Sequence, residues 1–295
     1  MALHKSSDEN AEITGNPDNR VSIVIPFYNQ PKFLAEAIAS VKAQTHPDVE
    51  VIVIDDGSVV PAADVLEDLW DVHILRTKNR GVSAARNLGL QNTSGDYLIF
   101  LDADDRLMPG AIEAHLQLML ENPKVGLTFG SQSVIDRNGA EIRPAHICRP
   151  RRNYFRMLLE GNPIGSPGAA MMRRSAVESV GPFDESITRG EDYHLYLRIA
   201  RHFPIVQHNF CVLEYRQHDA NISSAQDQMY VSTMAVLDQI EPLLSKSERK
   251  RLPYARRRWR HSCFKRETLS YKLSECYYRF RAMWGVSAAF YLNGK

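Results

Sequence analysis

The sequence predicts an α/β fold in which a mixed, mostly parallel sheet is flanked by helices and followed by a helical C-terminal extension. In the first half of the chain, segments that are apolar at every position alternate with segments of helical periodicity. Strands without a polar face are typical of parallel sheets that helices cover on both sides. Beyond residue 226 the pattern is helical, and no repeat or low-complexity tract interrupts it.

The predicted strands are short runs of apolar residues. The first reads VSIVIP and the second VIVI. Runs of this length with no polar alternation indicate strands buried on both faces. The predicted strands and extended segments lie at 21–26, 51–54, 72–77, 97–101, 125–129 and 204–216.

The predicted helices place apolar residues three and four positions apart. In the segment 33–43, for example, Leu34, Ile38 and Val41 fall on one helical face. Ser175 and Glu178 have the spacing of a capping box, which predicts a helix start, and Gly181 is the expected stop. The other predicted helices lie at 82–90, 111–120, 154–160 and 191–202.

Length and charge divide the chain into three parts. Its 295 residues fit one large domain with an appendage. We predict a flexible polar tail at 1–18, a main α/β domain at 19–225 and a helical region at 226–295 that is basic and rich in aromatic residues. From residue 225 onward there are 14 Lys and Arg against 6 Asp and Glu, whereas 1–224 contain 22 against 29. The overall net charge of +1 gives no sign of a nucleic-acid partner.

The cysteines and the hydropathy pattern indicate a cytoplasmic protein. The four cysteines form no C-x-x-C pair, so neither a zinc site nor a disulfide framework is predicted. The N-terminal residues are polar rather than those of a secretory signal. No apolar run approaches the length of about 18 residues or more that suggests a membrane-spanning helix.

Acidic residues follow two of the predicted parallel strands, where such sheets bind ligands. Asp102 and Asp104 emerge two positions apart, and Mg²⁺ or Mn²⁺ is commonly held by one or two carboxylates together with phosphate oxygens. An ordinary acidic turn is the alternative. Asp55 and Asp56 follow VIVI. A carboxylate there is suited to accept hydrogen bonds from a nucleobase or ribose; the alternative is an ordinary strand-to-helix turn.

Four further residues suggest chemistry. Arg86 lies in the first turns of a predicted helix, where its guanidinium is suited to bind a phosphate or pair with a carboxylate. The alternative is that Arg86 is solvated. Glu191 and Asp192 begin another helix, whose dipole is expected to keep both ionised near neutral pH. An ionised carboxylate there suits a general base, although acidic residues also favour helix starts. His218 suits a metal site or is an ordinary surface histidine.

Taken together, six blocks resemble the family-2 inverting glycosyltransferases, which have the GT-A (Rossmann-like) fold. They occur in that family's order over residues 21–223, and the ordered set is far more specific than any one block. The blocks are VSIVIPFYN, VIVIDDGS, NRGVSAARN, YLIFLDADD, GEDYHLYLR and YRQHDANIS.

The resemblance implies a donor site for a nucleotide sugar, usually a UDP-sugar. Pro26, Tyr28 and Asp55 would border the base and ribose, with Asp56 beside them. Arg86 would hold the nucleotide end.

It also implies a Mn²⁺ or Mg²⁺ cofactor. Asp102 would face the ribose or the cation, Asp104 would coordinate the cation, and His218 would contact the cation or the diphosphate. Asp192 would be the catalytic base, and Glu191 would shape the acceptor side. The stretch Gly165–Met172 would line the sugar and acceptor pocket.

The implied reaction is the transfer of one sugar, with inversion, to an acceptor hydroxyl on a glycan or lipid-linked saccharide. Processive synthases of this family carry a Gln-x-x-Arg-Trp signature, but here Ala255 stands where Gln would be. We therefore interpret the match of Arg258 and Trp259 to this signature as a coincidence. The alternative function is a catalytically silent sugar-nucleotide-binding partner protein. A nicotinamide dehydrogenase is disfavoured because no G-x-G-x-x-G follows the first strand.

The basic C-terminal region has three interpretations. Residues 246–266 contain 10 Lys and Arg and one acidic residue, interleaved with Tyr254 and Trp259. Such a segment is suited to peripheral contact with the inner face of an anionic membrane. It equally suits a helical cap on the main domain or an oligomer surface.

Overall fold

A computed structural model of the chain describes residues 19–66, 72–145, 153–218 and 226–264. The predicted tail at 1–18 and the last part of the C-terminal region, 265–295, lie outside the described residues. So does the segment 219–225, where the domain boundary was predicted.

The described strands and helices alternate through the first half of the chain. The strands are β1 Val21–Phe27, β2 Val49–Asp55, β3 His73–Arg76, β4 Tyr97–Phe100, β5 Arg106–Leu107, β6 Leu127–Ile135, β7 Glu141–Arg143, β8 Ala170–Arg173 and β9 Ile205–Arg216. The helices are α1 Pro31–Lys42, α2 Ala62–Leu66, α3 Val82–Gln91, α4 Ala111–Glu121, α5 Tyr154–Glu160, α6 Arg174–Val180, α7 Glu191–His202, α8 Gln226–Ile240, α9 Lys246–Arg249 and α10 Leu252–Cys263.

The strands form one mixed sheet in the order β3-β2-β1-β4-β8-β6-β9-β5, and β7 pairs with β6 at the side of this path. The first four strands in this order are parallel, with Val21 of β1 opposite both Val49 and Tyr97. Strand β8 runs antiparallel between β4 and β6, whereas β6 and β9 are parallel. Most paired residues lie in parallel pairs, which confirms the predicted sheet.

Within the described residues each predicted helix is present, but one predicted helix start is wrong. Helix α6 begins at Arg174, so Ser175 lies inside the helix, and Arg173 at the N-cap makes no side-chain capping bond. The helix follows β8 without a loop, which leaves no place for a capping box. Gly181 ends the helix as predicted, with φ of 86°.

Both faces of the sheet are buried. Along β1, Ile23 and Ile25 belong to one hydrophobic core, whereas Val24 belongs to the other. The C-terminal helices contribute Leu237 and Leu252 to the core that contains Val24. Helices α8 and α10 therefore pack on the same core as the sheet. No helix in the described part of the chain is long and apolar enough to cross a bilayer.

We predict that Gly89→Ala destabilises the fold. A Cβ at this position of α3 would overlap the side chain of Val24 in β1. Overpacking costs about 1–3 kcal/mol, which outweighs the gain of up to about 1 kcal/mol in helix propensity. Urea unfolding should show a lower free energy of unfolding than the wild type. A Cβ at Gly161 would meet nothing within 4 Å, so Gly161→Ala is the control and should change stability by about 0.5 kcal/mol or less. Equal stability of the two variants would contradict the close α3–β1 packing.

Candidate active site

The predicted site residues converge at one edge of the sheet. Because β1, β2 and β4 are parallel neighbours, the loops that follow their carboxyl ends lie side by side. The end of β9 brings residues 216–218 to the turn after β4, and the first turn of α7 approaches from the other side through contacts described below. Segments far apart in the sequence therefore share one site.

Arg86 joins three of these segments. Its side chain is 2% exposed and projects from α3. One guanidinium nitrogen donates to Asp102 Oδ1 at 2.7 Å, and the other donates to Glu191 Oε1. The guanidinium also lies 5.4 Å from the centre of the Phe183 ring. Arg86 thus pairs with two carboxylates. The contact of Arg86 with the nucleotide remains a prediction.

The pKa of Asp192 corrects one expectation. Burial, together with the negative charge of Glu191, raises the pKa of the Asp192 carboxyl to about 7, although Arg86 acts in the opposite direction. The helix dipole was expected to keep this group ionised near neutral pH. Burial and the neighbouring carboxylate oppose ionisation, so Asp192 is only partly ionised near neutral pH. A carboxyl that titrates near pH 7 is suited to accept a proton.

Asp104 and His218 form the second pair in the site. His218 Nε2 lies 2.9 Å from Asp104 Oδ2, and the imidazole stacks on Phe33 with ring centroids 5.2 Å apart. The third predicted metal ligand, Asp102, is bonded to Arg86 through its Oδ1, and its role toward a cation remains a prediction. Burial raises the pKa of Asp102, and the positive charge of Arg86 opposes this shift.

The donor set tests whether a divalent cation fits. Within the described residues, no three His, Cys, Asp or Glu side chains are arranged to hold a metal ion by themselves. Mg²⁺ and Mn²⁺ sites are commonly completed by substrate phosphate and water, with only one or two protein carboxylates. Asp104 and His218 supply an oxygen and a nitrogen at one point, so they fit a cation that a diphosphate helps to bind.

Sequence reasoning assigned no role to Arg216, which is 0% exposed. Its Nε donates to the carbonyl oxygen of Asp104 at 2.8 Å, and another guanidinium nitrogen donates to Glu36 at 2.7 Å. The guanidinium also covers the Phe33 ring at 4.7 Å. Arg216 therefore fixes the turn that carries Asp104. The local pattern carried no signal for this role, because Arg216 ends a strand that also contains Gln207, His208 and Glu214.

Asp105 was also missed. Its Oδ1 accepts a hydrogen bond from the backbone N–H of Arg216 at 2.9 Å, and its Oδ2 accepts one from the Ser166 hydroxyl at 2.8 Å. Burial raises the pKa of Asp105 well above its usual range, and the charges of Asp104 and Asp102 add to this effect. The turn after β4 is thus connected to the end of β9 and to the loop before β8.

Asp55 and Asp56 lie at the predicted edge, and both are bonded to backbone amides. Asp55 accepts from the N–H groups of Ser58 at 2.8 Å and Ala62 at 3.1 Å. Asp56 accepts from the N–H groups of residues 80 and 81, both at 2.8 Å. Pro26 is half-buried, and Tyr28 beside them is 50% exposed. The carboxylates shape these loops, and their contact with a nucleotide remains a prediction.

The predicted pocket lining at Gly165–Met172 is wrong for its second half. Residues Ala169–Met172 are 0% exposed, because Ala170, Met171 and Met172 belong to β8 in the middle of the sheet. Only the residues before them, such as Ser166, reach the site. Trp259 is structural, since its indole N–H donates to the Leu159 carbonyl at 3.1 Å.

Comparison with known proteins identifies relatives of this chain. The family model "Glycosyl transferase family 2" matches residues 22–181. A glycosyltransferase of Rickettsia felis is 34% identical over 186 residues, covering 62% of this chain and 30% of the relative. The UDP-Glc:alpha-D-GlcNAc-diphosphoundecaprenol beta-1,3-glucosyltransferase WfgD of Escherichia coli is 28% identical, covering 70% of this chain and 81% of the relative. The chain spans less than a third of the length of the first Rickettsia relatives.

Solved structures share the fold at low sequence identity. S. aureus TarS 1–349 in complex with UDP-GlcNAc matches with a TM-score of 0.67 and 16% identity, covering 82% of this chain and 73% of that one. The mannosyltransferase PcManGT from Pyrobaculum calidifontis, in complex with GDP-Man and Mn²⁺, matches with a TM-score of 0.60 and 17% identity, covering 92% and 77%. These likenesses confirm the predicted GT-A fold. Since the family model covers more than half of the sequence, the chain belongs to glycosyl transferase family 2.

Proposed function

We propose that this chain transfers one sugar, with inversion, from a UDP-sugar to an acceptor hydroxyl on a glycan or lipid-linked saccharide. The observation that carries the proposal is the Arg86 bridge, which brings the start of α7 to the turn after β4. Asp192, next to Glu191, and Asp104, two residues after Asp102, would then border the same site. The activity of WfgD and the UDP-GlcNAc bound to TarS support the choice of donor and acceptor.

The donor would lie along the carboxyl ends of β1, β2 and β4. Pro26 and Tyr28 would border the base, and the exposed ring of Tyr28 is available for an apolar contact. Asp55 and Asp56 hold the loops on which the ribose would rest. The diphosphate would point toward Asp104 and His218.

Asp104 and His218, with Asp102 beside them, would hold Mn²⁺ or Mg²⁺. The fold neighbour PcManGT contains Mn²⁺ together with its GDP-Man. When bound, the cation would neutralise charge on the departing nucleoside diphosphate. Arg216 keeps Asp104 in place for this role through the carbonyl oxygen of that residue.

Asp192 is the proposed general base. In its carboxylate form it removes the proton from the acceptor hydroxyl, and that oxygen attacks the anomeric carbon of the donor sugar. The new C–O bond forms as the bond to the diphosphate breaks on the opposite face, so the configuration inverts. Glu191, held by Arg86, shapes the acceptor side and raises the pKa of Asp192.

Asp192→Asn should lower kcat about 10²–10⁴-fold, because the amide cannot accept the acceptor proton. UDP affinity, measured by calorimetry, should remain unchanged. Asp227 is an exposed carboxylate in the first turn of α8, so Asp227→Asn is the matched control and should keep wild-type kcat. Near-normal turnover of the Asp192 variant would remove this residue from the role of base.

The pH dependence follows from the pKa of Asp192, which is about 7. The active form of a base is deprotonated, so kcat/KM should fall as the pH drops through about 7 and level off above it. The profile of released UDP against pH measures this. A wild-type rate that stays flat from weakly acidic to alkaline pH would contradict the assignment.

Asp104→Asn should weaken UDP binding in the presence of Mn²⁺ by at least about 10–100-fold, the loss seen even for residues that only support metal ligands. UDP binding without a cation should change little, since the variant removes a cation ligand. Calorimetry with and without Mn²⁺ separates the two, and Asp227→Asn again serves as control. If Mn²⁺ still strengthened UDP binding in the Asp104 variant as in the wild type, the cation would lie elsewhere.

A further inference from the structure

We infer that an exposed face of the C-terminal helices docks on an anionic lipid bilayer. The face consists of Lys246, Lys250, Tyr254, Arg257 and Arg258, all of which are exposed; we call it the basic face. The inference does not depend on the proposed sugar transfer, because it concerns a surface formed by α9 and α10.

Helical periodicity places these residues on one side. Lys250 and Arg251, between α9 and α10, have right-handed helical backbone, so the helical sense continues from one helix into the other. Lys246, Lys250, Tyr254 and Arg258 then recur every fourth position, which aligns them along one face. The opposite side is packed on the protein, with Leu252 2% and Ala255 0% exposed.

The basic face keeps much of its positive charge. Within 245–264 the one acidic residue is Glu248. Its carboxylate accepts hydrogen bonds from the backbone N–H of Ser245 and from the Arg201 guanidinium, and thus belongs to the inner side. Arg256, which lies outside the face, is bridged to Asp238 and Glu241. Within the face, a guanidinium nitrogen of Arg258 lies 3.6 Å from a carboxylate oxygen of Glu160, which is longer than a hydrogen bond.

Two features favour lipid over another polyanion. Tyr254 is 53% exposed among the cations, and Leu243 just before α9 is 50% exposed. Aromatic and apolar side chains next to basic ones are typical of helices that lie at the headgroup region of a membrane.

A cavity next to the basic face also favours binding of an anionic lipid. It measures about 340 Å³ and is lined by Tyr230, Pro253, Arg256, Arg257 and Arg260. Arg257 belongs both to this cavity and to the basic face. Arg256 also pairs with Asp238 and Glu241, so Arg257 and Arg260 are the arginines of this lining that suit the phosphate of a lipid headgroup.

The basic face is also joined to the proposed active site. On the inner side of α10, the Trp259 ring lies 5.1 Å from the ring of Tyr193, the residue after Asp192. Docking through α10 would therefore hold α7 at a fixed distance from the membrane. That arrangement suits an acceptor whose lipid remains in the bilayer.

Vesicle flotation of the full chain tests this inference without donor or acceptor. The chain should float with phosphatidylcholine vesicles that contain phosphatidylglycerol and should not float with phosphatidylcholine alone. Binding should weaken as salt increases, since salt screens exposed charges. Neutralising Lys250, Arg257 and Arg258 together to Gln should lower the partition coefficient about 100-fold, because each basic residue near such a surface contributes about fivefold.

The control removes three exposed charges elsewhere, as Lys42→Gln, Lys124→Gln and Arg143→Gln, and should bind vesicles like the wild type. Circular dichroism should show that both triple variants are folded, and UDP binding should be equal in both. Lack of flotation at low salt, or equal loss in the control, would overturn the inference. So would dimerisation or RNA binding that depends on the basic face in a chain that does not bind vesicles.

Discussion

The site depends on one buried ion bridge, in which Arg86 of α3 pairs with Asp102 after β4 and with Glu191 at the start of α7. The paired carboxylates lie 16 and 105 residues from Arg86 in the sequence. Removing one partner of a buried pair leaves an uncompensated charge, at a cost of about 3–5 kcal/mol. The bridge therefore fixes where α7, and with it Asp192, meets the sheet.

A second buried arginine holds the other side of the same turn. Arg216 donates to the carbonyl oxygen of Asp104 and, through its backbone N–H, to the carboxylate of Asp105. Two arginines from opposite ends of the domain, Arg86 and Arg216, thus form hydrogen bonds with the acidic turn after β4. The two guanidinium groups thereby supply positive charge and hydrogen bonds to a turn that carries several carboxyl groups.

Crowded carboxyl groups have perturbed protonation. Burial raises the pKa of Asp102, Asp105 and Asp192, and neighbouring carboxylates add to each shift. Such clusters are typical of functional sites, although structural ion networks also produce them. Here Asp105 has a structural role because hydrogen bonds from Ser166 and Arg216 engage both its oxygens. Asp192 accepts a bond from the backbone N–H of Tyr193 and is half-buried, which leaves it suited to a substrate.

The sequence was sufficient to predict the parallel half of the sheet, because runs such as VIVI are apolar at every position. It also located the acidic strand ends, since parallel strands bring their carboxyl ends to one edge. The antiparallel insertion of β8 was not predicted, because its place between β4 and β6 depends on contacts across the fold that local pattern does not reveal.

The roles of individual polar residues were harder to predict. The pairing of Arg86 depends on contacts across the fold, which local pattern does not reveal. The same holds for Arg216, whose partners Glu36 and Asp104 lie 180 and 112 residues away. The raised pKa of Asp192 was not anticipated for a related reason, since burial is a tertiary property.

A double-mutant cycle on the Arg86 bridge is the most direct test. Urea unfolding would compare Arg86→Met, Glu191→Gln and the double variant, with the exposed pair Arg80 and Glu185 as control. If the bridge joins α3 to α7, Arg86→Met should cost about 3–5 kcal/mol, with a coupling energy of about 1–3 kcal/mol to Glu191. The exposed pair should couple by less than about 1 kcal/mol. Additive effects of the Arg86 and Glu191 variants, within about 0.5 kcal/mol, would show that the bridge does not hold the site together.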